Sequence, residues 1–257
     1  MAYKRLIGVL TIKDGRLVKS YGYSMTRPAG NLISALQNLD RWLVDEILIL
    51  DISRQSGIAI ETLKAIESAK ISTPLMYGGG IRELADITSL LSAGCERFLI
   101  ETMIYTDVDT LTQLAGVLGR QALVASLPVS IDQESNLILF NKHSKFSAPS
   151  NEDPEYSVTD FYRDLPVSEI IVIDAQGEGR YSSFNMKIAE KLIDKLDRGV
   201  IWFGGISSLI AEELFKLPDT VAVGFGNINH EREIVIPNIR SELRKHNALH
   251  MPRATRL

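Results

Sequence analysis

The sequence is poor in cysteine and in histidine. Cys95 is the only cysteine among 257 residues, and there are four histidines. A lone cysteine excludes a disulfide framework within the chain and a four-cysteine zinc site, and it is typical of a reducing compartment. Cys95, His143 and His230 have no spacing that is typical of metal binding or nucleophilic catalysis. We therefore predict no metal and no cofactor.

Long hydrophobic runs and an excess of one charge are also missing. The chain has 28 lysines and arginines against 32 aspartates and glutamates, a net charge of −4, which gives no indication of nucleic-acid binding. No apolar run approaches the roughly 18 residues that a membrane span needs. The 45% of hydrophobic residues is enough for a full core. We predict one cytoplasmic domain over residues 1–257, with no membrane association.

Eight short apolar runs alternate with stretches of helical spacing. The runs lack clean polar alternation, which is typical of strands buried on both faces of a parallel sheet. Eight strand–helix pairs predict an α/β fold, a (β/α)8 TIM barrel, and a doubly wound open sheet is the alternative. The runs are residues 6–10, 47–50, 75–77, 98–100, 123–127, 170–173, 200–203 and 221–223. Helical spacing is found over 32–43, 60–69 and 188–196, and we expect Gly199 to end the last of these helices.

The two halves of the chain repeat each other. Residues 44–51 align without a gap on residues 167–174, and Gly79-Gly80-Ile81 aligns on Gly204-Gly205-Ile206 at nearly the same offset. Two independent matches indicate two half-barrels of four strand–helix units each, which favours the barrel. A polar stretch at about 131–157 interrupts the pattern. We predict a loop insertion there, with a hairpin at 137–140, and a frayed tail at about 248–257.

Glycine pairs follow the third and seventh predicted strands, where we expect phosphate to bind. Gly79 and Gly80 in one half, and Gly204 and Gly205 in the other, precede predicted helices. A strand that ends in glycines and opens a helix exposes backbone N–H groups at the positive end of the helix dipole. Two such sites predict a substrate with a phosphate at each end, and tight turns without a ligand are the alternative.

Charged residues lie at both ends of the predicted strands. Asp51 and Asp174 end the second and sixth strands, on the catalytic face of such a barrel, where each can act in acid–base chemistry or cap the following helix. At the opposite end we expect four charged side chains to meet as a ring if the barrel closes, and solvated surface positions are the alternative. This predicted floor ring consists of Arg5, Glu46, Arg97 and Glu169.

Five segments together carry a family resemblance. They are Lys4-Arg5, residues 13–19 (KDGRLVK), residues 45–53 (DEILILDIS), residues 78–81 (GGGI) and Gly204-Gly205. The combination resembles the cyclase subunit of imidazole glycerol phosphate synthase, from the half-barrel group of the histidine pathway. This resemblance implies a barrel that takes ammonia from a separate glutaminase docked at its bottom. The ammonia passes through the core to a substrate with two phosphates, and the imidazole ring is formed there.

The resemblance implies a role for each matching residue. The floor ring corresponds to the gate of the ammonia channel, with Arg97 where the family usually has lysine. Lys19 matches a mobile-loop lysine that approaches the substrate, and Asp51 matches a second-strand aspartate. One phosphate site corresponds to Gly79, Gly80 and Thr102, and the other to Gly177, Gly204, Gly205, Gly226 and Asn227.

Two departures concern the catalytic pair of the family, an aspartate at the end of strand one and another at the end of strand five. These positions hold Thr11 and Pro128 here. Neither side chain transfers protons near neutral pH, and removing one acid–base group typically costs about 10²–10⁴-fold in rate. Glu101 stands where the family has a phosphate-facing asparagine, and a carboxylate there would repel phosphate. Little cyclase activity is therefore expected.

The catalytic aspartates at the top of the barrel are replaced, whereas the charged residues of the gate at its bottom are retained. This pattern indicates that the barrel delivers ammonia to another acceptor. Diverged relatives in bacterial surface-sugar pathways are thought to supply ammonia to a third protein that amidates a nucleotide-linked sugar. The predicted partners are a glutaminase, a phosphorylated small molecule and such an amidating protein. There are two alternatives. One is a true cyclase, which is a lyase, with another acid–base set such as Asp51 with Asp174; the other is a non-catalytic phosphate-binding scaffold.

Overall fold

The computed structural model describes residues 4–53, 57–140, 162–230 and 235–245. The strands are β1 (Arg5–Lys13), β2 (Arg16–Tyr21), β3 (Met25–Gly30), β4 (Glu46–Asp51), β5 (Leu75–Gly78), β6 (Arg97–Ile100), β7 (Leu123–Ile131), β8 (Leu137–Leu139), β9 (Glu169–Asp174), β10 (Gly199–Phe203) and β11 (Thr220–Phe225). The helices are α1 (Leu32–Arg41), α2 (Ile60–Ala69), α3 (Leu84–Ala93), α4 (Met103–Thr106), α5 (Val108–Leu118), α6 (Met186–Leu192), α7 (Ser208–Lys216) and α8 (Val235–Lys245). Within these residues, no helix has the length and apolar character to cross a bilayer.

Eight of the strands close into a parallel barrel. They pair in the order β1, β4, β5, β6, β7, β9, β10 and β11, and β11 pairs in parallel with β1, where Leu6 lies opposite Val223. This last pairing leaves no free edge in the barrel. The predicted (β/α)8 barrel is confirmed, and the open sheet is wrong because its two edges would be unpaired.

The barrel strands are apolar on both faces because each face packs into a separate core. Alternate residues such as Leu6 and Leu10 pack outward into a large cluster shared with the helices, whereas Ile7 and Val9 belong to a cluster built from strand residues. Burying one side chain of this size contributes about 1.5–3 kcal/mol. The inner cluster fills the lumen and draws on all eight strands: Ile7, Val9, Leu48, Leu50, Met76, Leu99, Val124, Ile171, Ile173, Ile201, Phe203 and Ala222.

The internal repeat reappears as two matching close contacts between backbones. Gly79 and Gly204 have φ angles of 105° and 106°, values that favour glycine. A Cβ atom at Gly79 would lie 1.9 Å from the carbonyl oxygen of Asp51, and one at Gly204 would lie 2.4 Å from that of Asp174. Both glycines are thus required by the same approach of neighbouring strand ends in the two halves.

Two antiparallel hairpins extend the barrel at the carboxyl ends of its strands, which we call the mouth. Residues 13–19 form a hairpin, which places Lys19 on a strand where the resemblance implied a mobile loop. Asp14 and Gly15 take positive φ angles of 51° and 71° and join β1 to β2 in a two-residue turn. The chain then continues into β3, which pairs with β2. In the polar insertion, β8 forms the predicted hairpin with β7. Residues 141–161 and the predicted frayed tail lie outside the described residues.

Two predicted helix ends are wrong. Helix α1 ends at Arg41, and Leu43 has a positive φ of 59° that turns the chain toward β4. Helix α6 ends at Leu192, so Gly199 is not a helix stop but the first residue of β10. A Cβ there would lie 3.0 Å from a methyl group of Val221, which explains a glycine in this strand.

Candidate functional site

The four charged residues predicted for the floor meet at the amino ends of the barrel strands. Arg97 Nη1 lies 3.1 Å from Glu46 Oε1, and Arg97 Nη2 lies 2.6 Å from Glu169 Oε2. Arg5 Nη2 donates to the same Glu169 oxygen at 2.6 Å, and Arg5 Nε lies 3.9 Å from Glu46 Oε2. The floor ring is therefore a continuous ion-pair network, with two positive and two negative charges, and it stands below the apolar lumen.

Burial and charge act in opposite directions on the two ring carboxyls. Burial is the largest influence on the pKa of Glu46 and raises it, although Arg97 and Arg5 counteract the rise. At Glu169 burial would also raise the pKa, but the two arginines together hold it below its ordinary value. The same two carboxylates raise the pKa of Arg97 against the effect of its burial. Glu169 is thus the carboxyl that the arginines hold most firmly in its ionised form.

A cavity of about 620 Å³ opens at the mouth, over the strand ends of the amino-terminal half. Five of the predicted site residues line it: Asp51, Gly79, Gly80, Thr102 and Pro128. Leu50, Leu99 and Ile173, which also belong to the lumen cluster, form part of its wall. The cavity therefore lies directly above the lumen, with the floor ring at the other end of the barrel.

The first glycine pair and its flanking charges form one side of this cavity. Arg82 lines it next to Gly80. The backbone N–H groups of Arg82 and Glu83 both donate to Asp86 Oδ2, at 2.8 and 3.2 Å. Because Asp86 takes up these two N–H groups just before α3, an anion here would depend on other donors, such as the glycine loop and the Arg82 guanidinium.

Asp51 is anchored at the edge of the cavity. Its Oδ1 accepts from the backbone N–H of Ser53 at 2.8 Å, and its Oδ2 accepts from Tyr77 Oη at 2.9 Å. The Asp51 carboxylate and burial together raise the pKa of the Tyr77 phenol, with burial the larger cause. Tyr77 therefore remains a hydrogen-bond donor that holds Asp51 in place.

Glu101 lies at the top of the lumen, on the same inward side of the β6 chain as Arg97 and Leu99. Its Oε2 accepts from Ser126 Oγ, a fully buried hydroxyl on β7, at 2.8 Å. The carbonyl of Ser126 in turn accepts from Tyr162 Oη at 2.7 Å. The cavity thus has an anchored carboxylate where the resemblance led us to expect a phosphate contact.

The corresponding region of the carboxyl-terminal half is covered by the β2–β3 hairpin. Asn227 Nδ2 donates to the carbonyl of Ser20 at 2.6 Å and to that of Gly179 at 3.2 Å. Glu178, which is 1% exposed, accepts from Ser20 Oγ and from the backbone N–H of Tyr23, both at 3.1 Å. The amide donors of Asn227, predicted to bind phosphate, are therefore occupied by the protein itself.

Several other predicted site residues also lie away from the cavity lining. Asp174 is 2% exposed, and its two oxygens accept from the backbone N–H groups of Gln176, Gly177 and Asn185 at 2.8–3.0 Å. Burial raises its pKa although these bonds oppose the rise. This carboxyl organises the loop after β9. The remaining residues outside the lining are Thr11, Lys19, Gly177, Gly204, Gly205, Gly226 and Asn227.

Two residues of the mouth were missed by the sequence reasoning. Tyr23 lines the cavity, packs against the lumen cluster and has a positive φ of 54°, which is uncommon for a bulky residue. Burial, and then the charges of Glu178 and Glu101, raise the pKa of its phenol well above the ordinary value. Tyr23 therefore covers the top of the lumen as a neutral side chain. No local sequence pattern marks Tyr23 or Glu178, because their contacts join residues more than 150 positions apart.

Comparison with known proteins gives a consistent match. A family model described as "Histidine biosynthesis protein" matches residues 5–234. The imidazole glycerol phosphate synthase subunit HisF of Bacillus velezensis is 26% identical over 252 residues, which cover 96% of this chain and 98% of that protein. The HisF subunits of an Exiguobacterium species and of Bacillus subtilis are 26% and 25% identical, again over 96% of this chain.

Proposed function

Because this chain belongs to the histidine biosynthesis protein family, we propose that it is the barrel subunit of a glutamine-dependent complex. In this complex a glutaminase docks at the floor and releases ammonia, which crosses the lumen to the mouth. The similarity to HisF, itself named as a subunit of a synthase, supports a role within a complex. The floor ring is the observation that carries the proposal.

The floor ring supports this role through its charge balance and its place below an apolar lumen. Its two arginines and two glutamates have side chains that are 4–23% exposed, so they form a nearly closed polar layer. Ammonium would lose its hydration in the lumen at a high cost in free energy, whereas neutral ammonia loses far less. A partner that docks on the floor can shift these side chains and admit ammonia.

The residues at the mouth favour an ammonia acceptor other than a substrate with two phosphates. Thr11 and Pro128 replace the aspartates that the resemblance leads one to expect, and Glu101 faces the cavity. The β2–β3 hairpin also occupies the donors of Asn227 in the second half. The resemblance to diverged relatives in surface-sugar pathways, and not the geometry of the mouth, suggests the acceptor system that we propose: a third protein that amidates a nucleotide-linked sugar.

Co-purification with a glutaminase from the same genome tests the proposal. We expect a stoichiometric complex by native mass spectrometry and a faster glutamine hydrolysis by the glutaminase in that complex. Replacing Glu46 or Glu169 by alanine should leave hydrolysis running while amidation of the acceptor falls. Failure of the barrel to associate with any glutaminase of its own organism would refute the proposal.

A genuine cyclase is the second candidate, and the whole-length similarity to HisF favours it. Such an enzyme would need an acid–base pair. Asp51 lines the cavity, but Asp174 does not and already accepts three backbone hydrogen bonds. Purified protein should turn over the bis-phosphate ribonucleotide with an ammonium salt if it is a cyclase, and the absence of product would eliminate this candidate. A scaffold would bind phosphate and show neither activity.

A further inference from the structure

The two arginines of the floor ring are held unequally. Arg97 Nη1 donates to both oxygens of Glu46, at 3.1 and 3.2 Å, and Arg97 Nη2 donates to Glu169 at 2.6 Å. Arg97 Nε also donates to the carbonyl oxygen of Gln121 at 3.3 Å. Within the described part of the chain, Arg5 makes one side-chain hydrogen bond, from Nη2 to Glu169 at 2.6 Å. Arg97 is therefore anchored on three sides, and Arg5 on one.

The edge between Arg5 and Glu46 is the incomplete edge of the ring. Arg5 Nε lies 3.9 Å from Glu46 Oε2, which is beyond hydrogen-bond distance. This nitrogen is buried, and no described residue accepts a hydrogen bond from it. A buried donor without an acceptor is unfavourable. Movement of the Arg5 side chain toward solvent would satisfy this donor and so partly offset the loss of the bond to Glu169.

The backbone beside this edge is clamped, which favours movement of a side chain over separation of the strands. The N–H of Leu6, next to Arg5, donates to Asp45 Oδ2 at 2.8 Å. The N–H of Asp45, next to Glu46, donates to the carbonyl oxygen of Leu6 at 2.9 Å. Arg240 on α8 adds a 3.2 Å ion pair to Asp45 Oδ2, and the two side chains are 8% and 4% exposed. Separation of β1 from β4 would strain these contacts, whereas rotation of the Arg5 side chain breaks one bond.

We infer that Arg5 is the gating residue of the floor ring, whose side chain leaves Glu169 and swings outward to open a passage beside Glu46. Arg97 stays in place and keeps its contacts with both glutamates. Arg5 is also the more exposed of the two arginines, 23% against 15%. The inference rests on the proposed function and deepens it, because a docked glutaminase would open the ring by offering Arg5 a carboxylate or carbonyl oxygen.

Side-chain NMR of the full-length barrel alone tests the unequal mobility of the two arginines. Relaxation of the Nε–H groups in protein with ¹⁵N-labelled arginine reports the motion of each guanidinium, and Arg5→Lys and Arg97→Lys identify the two signals by their loss. We expect an order parameter below about 0.6 for Arg5 and of about 0.85 for Arg97. Arg244, which is exposed on α8, serves as a mobile reference. Equal order parameters for Arg5 and Arg97, or a lower one for Arg97, would overturn the inference.

Double-mutant cycles provide a second measurement that needs no signal assignment. Urea unfolding of Arg5→Met, Arg97→Met and Glu46→Gln, alone and in pairs, gives the coupling of each arginine to Glu46. We expect the coupling of Arg97 to change the unfolding equilibrium constant by at least about fivefold, and that of Arg5 by less than about twofold. A coupling of Arg5 to Glu46 as strong as that of Arg97 would contradict the incomplete edge.

Addition of unlabelled glutaminase to the labelled barrel tests the gating itself. As the complex forms, the Nε–H signal of Arg5 should shift more than that of Arg97, and a larger shift at Arg97 would overturn the inference. If no complex forms, the proposed function fails, although the mobilities in the barrel alone are still measured. If a complex forms and the two arginines are equally mobile, the gating inference fails and the proposed function stands.

Discussion

Removal of Glu46 from the floor ring should destabilise the protein more than removal of a comparable surface carboxylate. The Glu46 side chain is 4% exposed, and its two oxygens lie 3.1 and 3.2 Å from Arg97 Nη1. Breaking a buried ion pair on one side costs about 3–5 kcal/mol, because a charge is left uncompensated. Arg97 keeps its 2.6 Å bond to Glu169, so we expect Glu46→Ala to fall at the low end, about 3 kcal/mol.

The double variant Glu46→Met, Arg97→Met separates the cost of an unpaired charge from the value of the pair. It leaves Arg5 and Glu169 as a balanced pair at 2.6 Å. Apolar replacement of a whole buried pair is often neutral. The raised pKa of Glu46 indicates that its burial outweighs the attraction of the arginines. We therefore expect the double variant to be more stable than Glu46→Ala by at least about 1 kcal/mol.

Urea unfolding followed by circular dichroism measures both effects, and thermal scans should show a loss of about 6–12 °C for Glu46→Ala. The control is Glu213→Ala on α7, which removes an even shorter contact, 2.6 Å to Lys216, between side chains that are both 58% exposed. This control should show no measurable loss. Equal stability of Glu46→Ala and Glu213→Ala, or a double variant as unstable as Glu46→Ala, would refute the reasoning.

Three further predictions concern the strand ends, the pH dependence and the thiol. Gly79→Ala and Gly204→Ala should each cost more stability than Gly94→Ala. Gly94 has nearly the same φ, 104°, but no atom lies within 4 Å of an added Cβ there. Equal unfolding midpoints of the three variants would contradict this prediction. Glu169 has a pKa below the ordinary 4.5, so the stability that it contributes is present above that value and is lost on acidification. Between about pH 6 and pH 3.5 the unchanged protein should lose more stability in urea titrations than Glu169→Gln, and parallel curves would argue against the ion pairs. Burial raises the pKa of Cys95 to about 12, so a thiol reagent should label it only on unfolding.

The barrel and its floor ring could be predicted from the sequence because both follow from strand periodicity. Residues such as Glu46 and Glu169 open strands that are apolar on both faces, and closure of a parallel barrel brings such positions together. The Asp14-Gly15 pair is a typical residue combination for the two-residue turn that joins β1 to β2. The sequence, however, does not specify that the strands after it extend over the mouth. Strand β3 is largely exposed and has no apolar pattern that would reveal it.

The mouth could be predicted only in part because its contacts join distant segments. Asp51 and Asp174 occupy equivalent places in the repeat, yet one lines a cavity and the other is buried beneath a loop that it organises. The difference arises from residues after each strand, not from the strands themselves. The contact of Glu178 with Ser20 covers the second half and spans 158 positions. A pattern read along the chain does not contain such information.

Isotope competition tests most directly whether ammonia crosses the lumen. The complex with a glutaminase would be given amide-¹⁵N-labelled glutamine, excess unlabelled ammonium and a desalted extract of the same organism as the source of the acceptor. We predict that the amidated product carries mainly ¹⁵N, and that Ala222→Phe, which fills the lumen, lowers this fraction toward that of the bulk while glutamine hydrolysis continues. Two results would contradict passage through the barrel. With the unchanged barrel, the ¹⁵N fraction of the product could already equal that of the bulk ammonium, or Ala222→Phe could leave the ¹⁵N fraction unchanged.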